Sequence, residues 1–359
     1  MSIVFFSSTR ADLGIISEFL NCLELPNDEL VILATGTHCL KQYNPKDALA
    51  SLPLGAVVVE TLPINLDPNA SLDVKYGLFQ TAFIEYFRGR SVDCVVVVGD
   101  RFEAAAFAIA AFLAKVKVVH LHGGETSEGS LDDTFRDLIT RVSSVHLTSH
   151  ALHSARVMQI VKKSEYVFNV GAFGVKGLVQ AREQCADYER GSHVMVCYHP
   201  TSGDVFKLAD LIDELEALVE KFYAVKFIFI GSNIDDNGLK FSRSLRKSLA
   251  GYSNATFEMN FERVDYLDLL SRCHLLVGNT SSGIIEAPYF NVPFIHIGSR
   301  QRGRTHCKSS TFWVEHLSEL GRQFKVLYQK KRSDYIYERL FDGDIDLTQI
   351  QELIFRRTP

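Results

Sequence analysis

The sequence predicts an α/β protein made of two doubly wound, Rossmann-like domains. Short runs of β-branched residues alternate with stretches of helical length along most of the chain, which is typical of parallel sheets. A chain of 359 residues is also too long for one ordinary core. The alternation weakens between residues 171 and 191, where glycines and charged residues favour an interdomain connection, and it then starts again.

Each half is predicted to contain its own set of strands and helices. In the first half, strands are predicted at residues 3–8, 30–34, 57–61, 95–98, 116–121, 145–148 and 166–170, with helices from about residue 12 and over 72–88 and 102–113. In the second half, strands are predicted at 193–198, 226–230, 255–259, 275–277 and 293–297, with helices over 205–222, near 239–249 and from residue 264. We therefore expect domains at 1–172 and 173–345, with a C-terminal helix at about 346–359 that packs back on the first domain.

Composition excludes several classes of function. The net charge of −5, without any block of like charges, argues against a nucleic-acid partner. The seven cysteines are scattered and contain no C-x-x-C pair, so neither a disulfide framework nor a thiolate zinc site is indicated. No apolar run reaches membrane-spanning length and no signal-like segment opens the chain, so a soluble cytoplasmic protein is expected.

The segment from residue 95 to residue 133 carries the strongest functional signal. It contains a strand, a tight turn, a helix and a second strand, and polar residues stand at the carboxyl ends of both strands. In open parallel sheets this edge faces the ligand crevice, so these groups suggest a site. The polar residues are Asp100, Arg101, His120, His122, Glu125, Asp132, Asp133 and Arg136.

Other interpretations of the same residues, including purely structural roles, remain open. His120 and His122 lie two apart on one strand face and could bind a metal, but no third ligand is identifiable, so no metal is expected. Asp132 and Asp133 could be plain N-terminal helix residues. Asp100 and Arg101 could form an internal salt bridge at a turn.

In the second half, residues 275–304 form the informative segment. A buried strand ends at Gly278, and four polar residues follow, Asn279, Thr280, Ser281 and Ser282. We expect them to open a helix whose N-terminus binds a diphosphate, although an ordinary N-cap would explain one of them. Glu286, one turn further, could accept hydrogen bonds from sugar hydroxyls, and Arg300, Arg302 and Arg304 offer cations after the next strand.

Other strand ends also carry polar groups. They include Arg10 after the first strand, His38 after the second, His199 after the first strand of the second half, and Asn233 after the next one. Each alone is weak, but together they point to one site. The chain has neither a G-x-G-x-x-G motif nor a Walker A lysine loop, so nicotinamide and ATP chemistry lose their usual support and no cofactor is expected.

These motifs together resemble the hydrolysing UDP-N-acetylglucosamine 2-epimerases, particularly their bacterial sialic-acid branch. The segments that carry the resemblance, in order, are STRAD, ATGTH, VVGDRFEAAA, HLHGGETSEGSLDD, CYHPTSGD, GSNID, GNTSSGIIEAP and IGSRQRGR. The resemblance implies a GT-B fold, in which two Rossmann-like domains face a central cleft that holds the nucleotide sugar. It also implies conversion of UDP-N-acetylglucosamine and water to N-acetylmannosamine and UDP, by elimination to 2-acetamidoglucal and hydration of that intermediate.

The resemblance also implies roles for individual residues. Sugar chemistry falls on Asp100, His122 and Asp132, with Glu125 as a further carboxylate and His199 as a further proton carrier. The implied UDP-binding residues are Arg10, Arg101, His199, Asn233, Thr280, Ser281, Glu286 and Arg300. Secondary positions are His38, Asp133, Arg136 and Ser282. We expect His122 and His199 to carry protons near neutral pH.

Two positions depart from the family pattern. His122 stands where other branches carry a glutamate that is a candidate acid–base group, which moves the base assignment toward Asp100 or Asp132. The sialic-acid branch resembles this chain in having histidine there. Gly14 stands where some relatives carry a serine that contacts the nucleotide.

Several functional alternatives stay open. A close variant acts on UDP-2,4-diacetamido-2,4,6-trideoxyglucose in a legionaminic-type pathway. A GT-B glycosyltransferase and a non-catalytic nucleotide-sugar sensor are the other two hypotheses. A homodimer is expected, because dimers are the habit of the family.

Overall fold

The chain forms two compact units in the computed structural model. The structure describes residues 2–23, 29–39, 57–65, 67, 70–126, 131–175, 178, 191–201, 204–232, 236–343, 350–352 and 354. The first unit comprises residues 1–126, 130–176 and 341–359, and the second comprises 127–129 and 177–340. Within the described ranges, no helix is both long enough and apolar enough to cross a membrane.

The first unit is built on a parallel sheet with helices on both faces. Its strands are β1 (Ser2–Ser7), β2 (Glu29–Ala34), β3 (Val57–Thr61), β4 (Cys94–Val98), β5 (Lys117–Leu121), β6 (Val145–Thr148) and β7 (Val167–Asn169). Its longer helices are α1 (Arg10–Asn21), α2 (Leu72–Phe87), α3 (Phe102–Leu113), α4 (Asp132–Val142) and α5 (Ala151–Val161). Among the described strands the order is β3-β2-β1-β4-β5-β6-β7, and the paired neighbours are parallel.

Apolar side chains cover both faces of this sheet. Alternate residues of β1 point to opposite sides, so Phe5 packs with α1 while Phe6 packs with α2 and α3. Phe6 stacks on Phe107 of α3 with ring centroids 4.6 Å apart. Phenylalanine side chains supply much of this core, because Phe79, Phe83 and Phe107 are fully buried.

The chain returns to the first unit near residue 341. The N–H of Ala172 donates to the carbonyl of Phe341 at 2.9 Å. Gly343 has φ of +75°, and a Cβ there would lie 2.2 Å from the carbonyl carbon of Val170, so only glycine permits this close approach. Ile350 and Ile354 are then buried in the same apolar cluster as Phe5.

The second unit repeats the plan with a smaller sheet. Its strands are β8 (His193–Cys197), β9 (Phe227–Ile230), β10 (Ala255–Glu258), β11 (Cys273–Gly278), β12 (Phe294–Ile297) and β13 (Thr311–Val314). Its helices are α6 (Leu208–Lys221), α7 (Asp236–Leu249), α8 (Arg263–Ser271), the single turn α9 (Ser282–Ile285) and α10 (Leu320–Tyr328). The order β10-β9-β8-β11-β12-β13 among the described strands is the order of a Rossmann sheet.

The predicted fold class is confirmed, since both units are parallel, doubly wound α/β sheets. Each predicted strand is present, and its bounds differ from the prediction by at most two residues. Strand β13 and helices α5 and α10 were not predicted. The predicted boundary at residue 172 compares with a division of the two units after residue 176.

Candidate active site

The first group of site residues lies after β4 and β5 in the first unit. Asp100 follows the turn at Gly99, whose φ is +74°. His122 directly follows β5, and its N–H donates to the carbonyl of Leu147 at 2.9 Å, which extends the pairing with β6. His122 has φ of +62°, a left-handed conformation that costs a non-glycine residue about 1 kcal/mol or more. The site therefore contains local backbone strain at one of its predicted catalytic residues.

Arg136 of α4 joins the acidic residues of this group. Its side chain is 1% exposed and forms ion pairs with Asp100 and with Asp133, the latter at 2.5 Å between Nη1 and Oδ1. Nη1 also donates to the backbone carbonyl of Glu125 at 2.7 Å. Burial alone would lower the pKa of Arg136, but the carboxylates of Asp100, Glu125 and Asp133 more than offset this and raise it. Arg136 is thus a fixed cation that holds the turn after β4 and the loop after β5 together.

Asp100 and Arg101 do not form the simple turn salt bridge that the sequence left open. Asp100 pairs with Arg136, whereas Arg101 pairs with Glu103 through Nη2 and Oε1 at 2.8 Å. The reason is that residue 101 is the N-cap of α3, and residue 103 lies in the first turn, within reach of its guanidinium.

His122 and Glu125 form a second, buried pair. Nδ1 of His122 lies 2.9 Å from Oε1 of Glu125. The same carboxylate oxygen accepts a hydrogen bond from Oγ of Ser149 at 2.8 Å. Nε2 of His122 is buried and has no hydrogen-bond partner among the described residues. This side chain has the geometry of an oriented imidazole base.

His120 has a structural role. Nε2 donates to the carbonyl of Gly99 at 2.8 Å, and Nδ1 lies 3.1 Å from Oγ1 of Thr140. Burial lowers the pKa of His120 to about 3. Both ring nitrogens are therefore engaged by the protein, which does not support the alternative of a metal ligand. In the described ranges no cluster of three or more His, Cys, Asp or Glu side chains could hold a metal ion.

The remaining first-unit residues differ in placement. Asp132 is exposed as the first residue of α4, whereas its neighbour Asp133 reaches Arg136. His38 is buried, and its Nε2 lies 2.7 Å from Oγ of Ser7 at the end of β1. Arg10 is the first residue of α1, but its side chain lies outside the described part of the chain.

In the second unit, Asn279 joins the loops after β8 and β11. Its Oδ1 accepts from the N–H of His199 at 2.7 Å, and its Nδ2 donates to the carbonyl of His199 at 2.8 Å. The carbonyl of Asn279 accepts from Nε2 of Gln301 at 2.9 Å and from Nη1 of Arg300 at 3.5 Å. Three strand-end loops, which carry His199, Thr280 and Arg300, therefore meet at Asn279.

His199 is neutral near pH 7 in this structure. Burial, followed by the nearby guanidinium of Arg300, lowers its pKa to about 3. Its Nδ1 lies 3.4 Å from Oγ of Ser232. The role of His199 as a proton carrier stays a prediction, and the surroundings that lower its pKa could not be read from the sequence because they depend on Arg300 and on the folded loop.

The predicted helix after Gly278 is only one turn long. It covers Ser282–Ile285 and is followed by a 3-10 turn over Ala287–Phe290. Pro288 has no N–H to donate to the carbonyl of Ile284, so the α-helix cannot continue. The predicted helix start at Ser281 and Ser282 is present, and diphosphate binding there stays a prediction.

Glu286 ends this turn inside a network of side chains. Its Oε2 accepts from Oγ of Ser282 at 2.5 Å, and its Oε1 pairs with Nη1 of Arg263 at 2.5 Å. The hydroxyl of Tyr266 donates to Oγ of Ser282 at 2.6 Å. Thr280 is buried and Ser281 is partly buried beside them, while Asn233 lies outside the described residues.

Three residues of these side-chain networks were missed from the sequence: Arg263, Tyr266 and Ser149. Arg263 and Tyr266 lie on α8, before strand β11 and the strand-end motif, and no local pattern links them to it. Ser149 could have been found, because it directly follows β6 at the same sheet edge as His122.

Two doubly wound α/β units with acid–base and hydroxyl groups at their strand ends are typical of nucleotide-binding enzymes. The chain belongs to the UDP-N-acetylglucosamine 2-epimerase family, whose model matches residues 22–339. It is 31% identical over 312 residues to the polysialic acid biosynthesis protein P7 of Escherichia coli, covering 84% of this chain and 80% of that protein.

A second relative and a solved structure are also similar. The chain is 30% identical over 345 residues to the GDP/UDP-N,N'-diacetylbacillosamine 2-epimerase (hydrolyzing) of Campylobacter jejuni, covering 90% of this chain and 87% of that one. The UDP-GlcNAc 2-epimerase of Methanocaldococcus jannaschii, solved in complex with UDP-GlcNAc and UDP, has a TM-score of 0.76 and 16% identity over 99% of this chain and 98% of that one. This likeness shows a shared fold.

Proposed function

We propose that this protein is a hydrolysing UDP-N-acetylglucosamine 2-epimerase, which converts UDP-N-acetylglucosamine and water to N-acetylmannosamine and UDP in bacterial sialic-acid biosynthesis. The observation that carries the proposal is the buried His122–Glu125 pair next to the Asp100–Arg136–Asp133 cluster, in a chain of this family. Such a set of groups supplies a base, carboxylates and a cation for elimination and hydration at a sugar ring.

The reaction has requirements that these side chains meet. Removal of the C2 proton needs a base, and departure of UDP needs stabilisation of the developing diphosphate charge. His122, with Glu125 behind it, and the carboxylates of Asp100 and Asp132 are the groups that we assign to proton transfer. A positioned acid or base of this kind contributes roughly 10²- to 10⁴-fold to the rate.

We assign UDP binding chiefly to the second unit. The assigned residues lie in the segments that follow β8, β11 and β12, which Asn279 ties together: His199, Thr280, Ser281, Glu286 and Arg300. Arg10, Arg101 and Asn233 complete the assignment by resemblance. Neutral His199 can donate one hydrogen bond to a phosphate oxygen, and Arg300 supplies a full charge there.

A second nucleotide sugar is a specific alternative to UDP-N-acetylglucosamine as the substrate. The Campylobacter relative acts on a diacetylbacillosamine nucleotide, and its identity of 30% is close to the 31% of the polysialic acid relative. A 2-epimerase for UDP-2,4-diacetamido-2,4,6-trideoxyglucose is therefore the second candidate, and a GT-B glycosyltransferase is the third.

A two-substrate comparison tests the proposal. UDP-N-acetylglucosamine and the diacetamido nucleotide are each incubated with the protein without any sugar acceptor, and released UDP and free sugar are quantified. We expect stoichiometric UDP and N-acetylmannosamine from the first, with a kcat/KM at least tenfold above that of the second. The reverse preference would support the second candidate, and slow UDP release that an added acceptor accelerates would support the third.

We also propose that the protein is a homodimer. Helices α2 and α3 of the first unit expose Leu72, Leu78, Ile84, Phe112 and Leu113, each at 38% or more. Apolar side chains of this size on neighbouring helices favour burial against a second copy. Sedimentation velocity should give a mass near twice the 40.3 kDa of the chain, and a single monomer boundary at micromolar concentration would contradict it.

A further inference from the structure

A chain of hydrogen bonds extends behind the His122–Glu125 pair to helix α5. Oγ of Ser149 lies 2.8 Å from Oε1 of Glu125 and 3.0 Å from Nδ1 of His153. Ser149 and His153 are 1% and 7% exposed, so this chain runs through the interior of the first unit. Neither residue has a role in the function as described so far.

The direction of each hydrogen bond follows from the number of protons available. An ionised Glu125 can only accept, and Arg136 favours its ionised form, so Nδ1 of His122 and Oγ of Ser149 both donate to it. Ser149 has then used its single proton, and its oxygen must accept from Nδ1–H of His153. It follows that neutral His122 has its proton on Nδ1 and a bare lone pair on Nε2.

The backbone conformation and the hydrogen bonding of His122 are both energetically unfavourable, which indicates a functional role for this residue. Its left-handed backbone is strained, and its buried Nε2 lacks a partner among the described residues. A buried polar atom without a partner is costly, and such atoms cluster where a ligand or substrate completes the bonding. By contrast, the carboxylate of Asp100 is already engaged by Arg136.

The loop geometry fits the same purpose. Gly124 has φ of +78°, and a Cβ there would lie 2.3 Å from the carbonyl oxygen of His153. Only glycine lets the loop after β5 pass this close to the first turn of α5. Ser149 directly precedes His150, the N-cap of α5, and His153 lies in the first turn of that helix, where its imidazole contacts the serine hydroxyl.

We propose that Ser149 and His153 are positioning residues that lock Glu125 against His122, so that Nε2 of His122 is the base that takes the C2 proton of the sugar. The inference rests on the proposed function. In the step, Nε2 binds the proton, the C2–H electron pair forms the C1–C2 double bond, and the C1–O bond breaks with its electrons leaving on UDP. The imidazolium that forms is stabilised by the carboxylate of Glu125.

Charged and titratable groups surround His122 from every neighbouring element. They are Asp100 after β4, His120 on β5, Asp133 and Arg136 on α4, and His153 and Arg156 on α5. The guanidinium groups of Arg136 and Arg156 both donate to the backbone carbonyl of Glu125, at 2.7 and 3.1 Å, and so fix the backbone of the residue that pairs with His122. Glu125 is the carboxylate in direct contact with the ring on which the proton arrives during turnover.

The kinetic test uses Ser149→Ala with Ser149→Thr as its conservative partner. Loss of one hydrogen bond to a charged group corresponds to a decrease of roughly 10- to 100-fold in kcat, with KM unchanged within about twofold. Ser149→Thr keeps the donor and should recover most of the rate. His153→Ala should lower kcat several-fold, and His153→Asn should restore it, because the asparagine amide can donate to Ser149.

The matched control is Ser154→Ala. Ser154 follows His153 on α5, is buried like Ser149, and its hydroxyl bonds to Oγ1 of Thr148 at 2.6 Å instead of to Glu125. It should leave kcat and its pH profile unchanged. In Ser149→Ala the acid limb of kcat should move to higher pH, because Glu125 then has one donor fewer and stabilises the imidazolium more. A merely structural serine would move neither limb.

Nitrogen-15 NMR of labelled histidine tests the inference without turnover. Wild-type His122 should show a protonated Nδ1 and a bare Nε2 near pH 8, assigned with a His122→Gln variant. A protonated Nε2, or an unchanged kcat in Ser149→Ala, would overturn the inference. Absence of turnover with both nucleotide sugars, together with the expected tautomer, would refute the proposed function and leave the positioning network standing.

Discussion

Removal of Arg136 is the perturbation whose consequence the structure defines best. Substitution by methionine keeps most of the aliphatic length but deletes the guanidinium. The variant loses the ion pairs with Asp100 and Asp133 and the hydrogen bond to the carbonyl of Glu125. The carboxylates of Asp100 and Asp133 and the carbonyl of Glu125 therefore lose the guanidinium that they share in the wild type.

The expected loss of stability is large. Breaking a buried ion pair by removing one partner costs about 3–5 kcal/mol. The side chains of Asp100 and Asp133 are 23% and 24% exposed, so water can replace part of the lost contact. This places the expected loss near the lower end, about 3 kcal/mol, which corresponds to roughly 100-fold faster exchange of protected amides.

Hydrogen exchange measured by mass spectrometry is the appropriate assay, because it reports on the first unit separately. Peptides that cover β4 and β5 should exchange roughly 100-fold faster in Arg136→Met than in the wild type. Arg141→Met is the control, since Arg141 is exposed on the same helix and should change stability by no more than about 0.5 kcal/mol. A loss below about 1 kcal/mol in Arg136→Met would refute the assignment of Arg136 as the centre of the cluster.

The remaining predictions concern stability and nucleotide binding. Gly77→Ala should stabilise α2 by about 1 kcal/mol, because Gly77 is helical and a Cβ there meets no atom within 4 Å. Gly124→Ala should instead destabilise the fold, because a Cβ there would meet the carbonyl oxygen of His153. Thermal unfolding should show a higher Tm for the first variant and a lower Tm for the second. Asn279→Ala should weaken UDP binding at least tenfold by freeing the backbone of His199, measured by calorimetry, and unchanged affinity would contradict the assigned UDP site. Acid should destabilise the protein: burial lowers the pKa of His120 and His199 to about 3 from 6.5, so the unfolded state binds more protons in that interval. Stability should therefore be full above pH 6.5 and fall at lower pH by up to about 1.4 kcal/mol per unit for each such histidine, and a flat unfolding free energy between pH 7 and 5 would contradict this.

The strand and helix pattern could be predicted because the chain repeats the same alternation in both halves. Strand β13 was missed since it is four residues long and only half buried, so it shows no clear periodicity. Helix α5 was missed because His153, Ser154 and Arg156 interrupt its apolar face. The start of the helix after Gly278 could be predicted from its polar residues, and Pro288 limits it to a single turn.

The location of the site was more predictable than its internal bonding. Polar residues that follow buried strands must gather at one sheet edge, which identifies Asp100, His122 and Glu125. The partner of Asp100 is 36 residues away in the sequence, so no local pattern could select Arg136 over Arg101. The protonation of His199 depends on burial and on Arg300, and neither is visible before the fold is known.

Turnover in deuterated water tests the central claim most directly. The protein is incubated with UDP-N-acetylglucosamine alone, and the free sugar is analysed by NMR and mass spectrometry. Removal of the C2 proton by a side chain and its return from solvent predict N-acetylmannosamine that carries one deuterium at C2, with an equal amount of UDP. An unlabelled sugar, or unreacted substrate after prolonged incubation, would contradict the account.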